Sequence, residues 1–229
     1  ISCWQLLGSG TSTLGRTMSN LLRLLPPDVR DLWGTLPFQP FAQRFALQAR
    51  KASRNVPGDI RIDGYIVHYT DVLSCYIEYK DIFIRKIYQF SSTKANPLII
   101  DGGGCIGMSL LYFKQVFPEA RIICFEPDPD LMQVLSRNIT TNQLADITLI
   151  QAGLAGHTGT VAFHPDGVDG GRIVEGNSGC QRIATVCLSD YIREPVDFLK
   201  LNIEGSELPV LLEVETRGKL EHITELVLE

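Results

Sequence analysis

The ten residues LIIDGGGCIG, from Leu98 to Gly107, constrain the fold of this chain more than any other stretch. They predict a short buried strand of apolar residues that ends in Asp101 and breaks at once into glycines. Gly102, Gly104 and Gly107 fit the pattern G-x-G-x-x-G, in which glycines permit a tight turn and the close approach of a ligand to the backbone. The turn therefore predicts a ligand-binding site at the carboxyl end of a strand in an α/β protein.

Apolar strands and amphipathic helices alternate along the chain from residue 97 onward. Strands are predicted at 97–101, 121–126, 146–152, 196–202 and 223–229, with two flanking strands at 158–167 and 182–192. Repeated strand–helix–strand units predict a Rossmann-like, doubly wound, mostly parallel sheet with helices on both faces. Because the sequence stops on an apolar strand, we expect the C-terminal strands to be truncated.

Capping residues and helical spacing predict three helices around this sheet. The first is expected from Gly107 to Phe117, and the second after a cap at Asp128. The third is expected after a cap at Ser206, with Gly218 at its end. Its apolar face is predicted to consist of Leu208, Leu211 and Leu212. The loop from Pro165 to Cys180 contains five glycines, at 167, 170, 171, 176 and 179. It is either a lid over the site or a plain surface loop.

Two segments precede this core, which we assign to residues 97–229. Residues 1–57 are predicted to be a helical extension broken by prolines, with one amphipathic helix over 41–54. Residues 58–96 are predicted to form a hairpin through Asp63-Gly64, followed by a stretch that turns helical toward its end. Its aromatic residues, the tyrosines at 65, 69, 76, 79 and 88, are expected in the core more than in a pocket.

Composition narrows the class of protein. The 229 residues carry a net charge of −5, which disfavours nucleic acid as a partner, and no run of eighteen apolar residues predicts a membrane span.

The six cysteines form no CxxC pair, which favours a reducing, cytoplasmic setting. The chain begins at Ile1 and not at methionine, so we expect a fragment whose targeting segment lies outside this sequence. The sequon Asn138-Ile139-Thr140 falls on a predicted helix, and we interpret it as chance.

Charge next to the glycine turn favours one ligand over another. A pyrophosphate in this turn would lie close to Asp101, and like charges about 4 Å apart at an effective dielectric near 20 cost roughly 4 kcal/mol. A sulfonium or ammonium group would gain a similar amount, which favours S-adenosylmethionine, whose ribose hydroxyls Glu126 can bind. Two alternatives are a nicotinamide-dependent oxidoreductase, with Glu126 on the ribose of NAD, and Asp101 acting only as a cap or turn residue.

The chain also resembles the FkbM-type methyltransferases in three motifs: IIDGGGCIG, CFEPDPD and VDFLKLNIEGSELPVL, over residues 75–229. The resemblance implies a class I methyltransferase fold that uses S-adenosylmethionine, with a hydroxyl of a sugar or polyketide-like small molecule as methyl acceptor. It also implies a cofactor site made of Asp101, Gly102, Gly103, Gly104, Gly107, Glu126, Pro127, Asp128, Gly153 and Leu154. Glu204, Gly205 and Glu207 match the family's E-G-x-E.

The sequence departs from that family at three positions. Gly104 and Cys105 stand where the family usually has alanine and asparagine, and Asn202 replaces the aspartate that ends the fourth strand. Asn202 can hydrogen-bond a ligand but cannot act as a base, so a scaffold without activity is a further alternative. We expect Glu204 and Asn202 to be the catalytic residues, with Glu204 as the base.

The histidines and cysteines offer few other site residues. His68, His157, His164 and His222 are less favoured candidates for a base, and His164 is the one that borders the glycine-rich loop. No pair of histidines or cysteines has the spacing of metal ligands, so we expect no metal.

Overall fold

The computed structural model describes residues 40–165, 171–174 and 181–229, and at Arg172 and Val174 it describes the backbone alone. Contacts divide the chain into two compact units, residues 1–53 and 54–229. Residues 58–96, which we expected to precede the core as a separate segment, lie inside the second unit. The division into three parts stays a prediction.

The described part of the first unit is one amphipathic helix, α1, over Pro40–Lys51. Proline is well tolerated at the start of a helix because the first N–H groups have no intrahelical partner. Phe45, Ala46 and Ala49 lie on the buried face, and the basic residues of the last turn suit the negative end of the helix dipole. The helix expected over 41–54 is thus confirmed up to residue 51.

The second unit is built on a parallel sheet of five strands, ordered β11-β10-β3-β4-β5. These strands are β3 (Leu98–Gly102), β4 (Arg121–Phe125), β5 (Ile147–Ile150), β10 (Val196–Leu201) and β11 (Ile223–Leu228). The crossover helices are α3 (Met108–Val116), α4 (Pro129–Thr141) and α5 (Glu207–Thr216). Strand order reverses between β3 and β10, which is the switch point where ligands bind in doubly wound sheets. The predicted Rossmann-like fold is confirmed.

A second sheet of four strands, ordered β6-β9-β7-β8, follows β5 along the chain. Its strands are β6 (Gly153–Leu154), β7 (Gly159–His164), β8 (Arg172–Val174) and β9 (Gln181–Val186). The flanking strand predicted at 158–167 is confirmed over 159–164. The one predicted at 182–192 is confirmed as far as residue 186, and Leu188–Asp190 form a 3₁₀ turn instead. Strand β8 lies inside the glycine-rich loop that we considered as a lid, and the rest of that loop after Pro165 lies outside the described residues apart from Gly171.

A hairpin of β1 (Gly58–Ile62) and β2 (Tyr65–Tyr69) confirms the predicted turn at Asp63-Gly64. Both turn residues have positive φ, 47° and 96°, as the favoured two-residue hairpin turn requires. The hairpin is fixed to α4 by Asn138, whose amide oxygen accepts from the backbone N–H of His68 at 2.7 Å. Asn138 is 1% exposed, so its sequon has a structural role in this fold.

Two helix predictions were wrong in detail. The stretch expected to turn helical at its end is helical at its beginning: α2 covers Val72–Tyr79 and continues as a π-helical turn over Lys80–Ile84. The cause is Asp71, which caps α2 by accepting from the backbone N–H of Ser74 at 3.0 Å. Helix α5 buries Val210 and Val214, whereas Leu208 and Leu212 are 66% and 52% exposed.

The start of α5 also differs from the prediction. Ser206 occupies the position before the helix, but its side chain makes no capping bond. Glu207, the first residue of the helix, instead ties the preceding turn to it: its two carboxylate oxygens accept from the backbone N–H groups of Ile203 and Gly205 at 2.8 and 2.9 Å. The predicted end at Gly218 is confirmed by its left-handed φ of 65°.

Candidate active site

A cavity of about 250 Å³ lies at the carboxyl edge of the five-stranded sheet. The predicted residues that line it are Gly103, Gly104, Glu126, Pro127, Gly153, Leu154, Asn202 and Glu204. Asp101, Gly102, Gly107 and Asp128 are not among the lining residues. The cavity thus gathers predicted residues from four separate stretches of chain.

The glycine turn has a shape that only glycine fits at two positions. Gly103 has a φ of 86°, and a Cβ there would lie 1.9 Å from the backbone oxygen of Asn202. A Cβ on Gly104 would lie 2.3 Å from the sulfur of Cys124. The backbone N–H groups of Gly103 and Gly104 both donate to the oxygen of Phe125, at 3.0 and 2.9 Å. The turn is therefore packed tightly against β4 and β10.

Asp101 does not face the cavity as a free carboxylate, which corrects the electrostatic argument made from the sequence. It is fully buried, and one oxygen accepts from the Lys200 ammonium at 2.8 Å while the other accepts from the Ser109 hydroxyl. Lys200 also donates to the backbone oxygen of Gly103. A buried carboxylate needs such partners. Asp101 therefore supports the turn from behind, and its charge is matched by Lys200.

Lys200 is charged in this environment. Burial alone would lower its pKa, but the Asp101 carboxylate outweighs burial and raises the pKa above that of an exposed lysine. The ammonium also lies 5.4 Å from the ring centroid of Tyr88. Lys200 lines the cavity, so the pair contributes no net charge there.

Glu126 follows β4 and is 5% exposed at the cavity wall. One carboxylate oxygen accepts from the backbone N–H of Cys105 at 2.8 Å and the other from that of Asp128 at 2.9 Å. Burial raises its pKa to about 7, against the opposing effect of these two bonds. Each oxygen keeps a second lone pair, so the carboxylate can accept two further donors from a ligand.

Asp128 supports Glu126 and does not line the cavity. Its carboxylate caps α4 by accepting from the backbone N–H of Asp130 at 2.9 Å, as its sequence position predicts. Gly153 and Leu154 lie on the far side of Glu126, in β6. They form the part of the cavity wall that follows β5 in the chain, and both belong to the cofactor site that the resemblance implies.

Sequence reasoning missed one whole wall of the cavity, which comes from α2 and its π-helical turn. Glu78 and Asp81 line it, and the thiol of Cys105 donates to the Glu78 carboxylate at 3.3 Å. π-Helical turns occur frequently at functional sites. The helical spacing of Ile77, Glu78, Asp81 and Ile82 could have predicted this wall. The aromatic residues around them made the helical pattern hard to recognise.

Glu204 lies in a strained turn at the cavity rim. Its φ is 55°, a conformation that side chains other than glycine, asparagine and aspartate adopt rarely, and its side chain is exposed. The two bonds that Glu207 makes on either side of it hold the turn. Backbone strain of this kind clusters at functional sites.

The histidines offer no competing base. All four fall within the described ranges and none lines the cavity. His68 is bonded to Asp59 and Thr141 in the hairpin contact. Of the five tyrosines in residues 58–96, Tyr88 lines the cavity, while Tyr76 and Tyr79 are buried in the core.

The strand order and the glycine turn at the switch point define a Rossmann-like α/β fold of the methyltransferase type. Residues 101–226, more than half of the chain, match the family described as the methyltransferase FkbM domain. The chain belongs to the FkbM methyltransferase family, and its class of activity is methyl transfer.

Named relatives agree with this class. A protein called methyltransferase sdnD, from Sordaria araneosa, is 29% identical over 72% of this chain and 78% of its own length. The 2-O-methyltransferase NoeI from Sinorhizobium fredii is 32% identical over 43% of this chain and 40% of its own length. A crystal structure of methyltransferase FkbM from Methylobacillus flagellatus aligns with 89% of this chain at a TM-score of 0.44 and 20% identity, and the chain spans 45% of its length.

Clusters of metal ligands and membrane-spanning helices are both absent from the described residues. In the described ranges, no group of three or more histidine, cysteine, aspartate or glutamate side chains has the arrangement to hold a metal ion. Within the described residues, Cys75, Cys105, Cys124 and Cys187 form no disulfide bond. No helix between residues 40 and 229, leaving aside the two undescribed gaps, is long and apolar enough to cross a bilayer.

Proposed function

We propose that this protein transfers the methyl group of S-adenosylmethionine to a hydroxyl of a sugar or other small molecule. The observation that carries this proposal is the charge of the cavity wall. Glu78, Asp81, Glu126, Glu204 and Glu229 line it, and its lysine, Lys200, is paired with Asp101. A cationic nucleoside suits such a wall, whereas a dinucleotide would bring two phosphates against it. The electrostatic preference for a cationic ligand, which the sequence suggested for Asp101, thus comes from these other carboxylates.

The order of the strands supports one direction for the cofactor. Its ribose hydroxyls would donate to Glu126 at the end of β4, in the two positions that its backbone donors leave open. The adenine would lie over Gly153 and Leu154, and the methionine part would cross the glycine turn toward β10. Gly103 and Gly104, which have no side chain, let the ligand approach the backbone there.

Methyl transfer is an in-line displacement, so holding the acceptor close to the methyl group supplies much of the rate. The acceptor oxygen forms a bond to the methyl carbon as the carbon–sulfur bond breaks, and S-adenosylhomocysteine is left. The hydroxyl proton passes to a base, and Glu204 at the cavity rim is our candidate. Asn202 beside it is a hydrogen-bonding residue.

A hydroxyl acceptor is supported by the relatives and by the wall. NoeI is named as a 2-O-methyltransferase. Carboxylates such as Glu78 accept hydrogen bonds from the hydroxyls of a sugar, and the same charge disfavours a phosphorylated or carboxylated acceptor.

Calorimetric titration of the protein with S-adenosylhomocysteine and with NADH tests the cofactor. We expect micromolar or tighter binding of the first and no heat from the second. Incubation with methyl-labelled cofactor and a panel of neutral sugars and polyketide-like alcohols then tests the acceptor. Binding of NADH without binding of S-adenosylhomocysteine would establish the oxidoreductase alternative. Tight cofactor binding with no labelled product from any acceptor of the panel would favour a scaffold without activity.

A further inference from the structure

Three neighbouring strands place Glu229, Asn202 and Gly103 side by side at the edge of the cavity. Leu228 pairs with Leu201, and Leu201 pairs with Gly102, so the next residue of each strand lies in one row. The ladder continues through this row, because the backbone N–H of Glu229 donates to Leu201 at 3.1 Å and that of Asn202 to Gly102 at 3.1 Å. The row is therefore fixed by the backbone of the sheet.

The carboxylate of Glu229 is held in this row by two side-chain donors. The amide nitrogen of Asn202 lies 3.0 Å from Oε2, and the Tyr88 hydroxyl donates to the same oxygen. Tyr88 is 3% exposed, and burial raises the pKa of its hydroxyl. The charge of Lys200 opposes this rise and Glu229 adds to it. The hydroxyl therefore keeps its proton and can donate a hydrogen bond. Both bonds use Oε2, so Oε1 is available to a ligand in the cavity that Glu229 lines.

An amide at position 202 is what this arrangement needs. An aspartate there would bring a second carboxylate within about 3 Å of the exposed Glu229, and the two like charges would repel each other. The family pattern has an aspartate at this position. In this chain, Asn202 donates to the carboxylate of Glu229 on the neighbouring strand.

The location of Glu229 indicates which part of a ligand it meets. If the adenine lies over β6 and the ribose at Glu126, the far end of the cofactor lies beyond the glycine turn, over β10 and β11. This step rests on the proposed use of S-adenosylmethionine. The methionine part carries an α-ammonium group, and an ammonium bonded to a held carboxylate makes a charge-assisted hydrogen bond.

We propose that Glu229, positioned by Asn202 and Tyr88, binds the α-ammonium group of the cofactor. It is thus a binding residue for the cofactor that no motif in the sequence indicates, and Asn202 and Tyr88 are positioning residues. Hydrogen bonds to charged groups contribute enough to binding that removing this carboxylate is expected to weaken affinity about 10- to 100-fold.

Three ligands and two variants test this inference by calorimetry. S-adenosylhomocysteine has the ammonium group without the sulfonium charge, and 5′-methylthioadenosine lacks the whole amino-acid part. For Glu229→Gln, we expect a loss of about 10- to 100-fold for S-adenosylmethionine and S-adenosylhomocysteine alike, with methylthioadenosine unchanged. Unchanged methylthioadenosine binding also shows that the variant is folded. The exposed Glu221, on the turn before β11, supplies the control Glu221→Gln, which should match the wild type.

A charge exchange provides the second test. The double variant Asn202→Asp with Glu229→Gln returns one carboxylate to the same row, and we expect it to recover affinity for S-adenosylhomocysteine. A double variant that binds as weakly as Glu229→Gln would contradict the proposal. A loss in Glu229→Gln that is confined to S-adenosylmethionine would also contradict it, because it would show that the carboxylate acts on the sulfonium. Wild-type affinity in Glu229→Gln would also overturn it and would leave the proposed function intact. A wild-type protein that binds none of the three ligands would refute the proposed function instead.

Discussion

Lys200 and Asp101 form a buried ion pair 2.8 Å long that joins β10 to β3 directly beneath the glycine turn. The side chains are 4% and 0% exposed, so each charge depends on the other for its solvation. Lys200 also donates to the backbone oxygen of Gly103. The pair therefore couples the stability of the sheet to the shape of the ligand site.

Replacing one partner of this pair should destabilise the protein strongly. In Lys200→Met, the Asp101 carboxylate is left buried without its counter-ion, which costs about 3–5 kcal/mol in the free energy of unfolding. Urea denaturation measures this, with Arg121→Ala as the control. Arg121 pairs with Glu194, but both are about half exposed, so its loss should cost less than about 1 kcal/mol. Equal losses in the two variants would show that the buried pair has no special role.

A methyl group at Gly104 should be incompatible with this core. Its Cβ would lie 2.3 Å from the Cys124 sulfur and 2.7 Å from a methyl carbon of Leu135, so Gly104→Ala is expected to cost about 1–3 kcal/mol through overpacking. Adding Cys124→Ala removes the nearer atom, and the pair should be more stable than the sum of the single changes predicts. Strictly additive losses by thermal denaturation would contradict the steric explanation.

Local signals explain which parts of the fold were predictable. The turn at Asp63-Gly64, the cap at Asp128 and the glycines after β3 each act through residues a few positions apart, and each prediction is confirmed. Helix α5 was less predictable. Leu208 and Val210 are both apolar, and sequence spacing alone did not tell which of them faces the sheet.

The errors at the site arise from contacts between distant parts of the chain. Lys200 lies 99 positions from Asp101, and Glu229 lies 141 positions from Tyr88. Nothing near Asp101 in the sequence shows that its charge is matched, so the carboxylate was expected to face the ligand. The assignment of Glu126 to the cavity wall needed only its place at the end of the second strand of the core.

Glu204 should affect catalysis more than cofactor binding. If it accepts the proton of the acceptor hydroxyl, Glu204→Gln should lower kcat about 10²- to 10⁴-fold while the affinity for S-adenosylhomocysteine stays within about twofold. Labelled methyl transfer and calorimetry measure the two quantities. Glu215→Gln is the matched control, since Glu215 is exposed on α5 as Glu204 is at the rim, and it does not line the cavity. A rise in KM with unchanged kcat would assign Glu204 to acceptor binding.

Cofactor binding should depend on pH through Glu126. Burial raises the pKa of its carboxyl to about 7, so near neutral pH part of the ligand-free protein carries it protonated. Ribose hydroxyls that donate to the carboxylate favour the charged form, so binding should lower this pKa and release protons. Affinity for S-adenosylhomocysteine is therefore expected to rise as pH increases toward 7 and to level off above it.

Titrations at pH 6.5 in phosphate and in an amine buffer measure the proton release directly, because the two buffers differ in ionisation enthalpy. The heats should differ at pH 6.5 and converge at pH 8.5, where Glu126 is already ionised. Glu126→Gln should bind more weakly and lose the difference between buffers. If the variant keeps the wild-type pH profile, another group carries the linkage, and Glu126 does not receive the ribose hydroxyls as an ionised carboxylate.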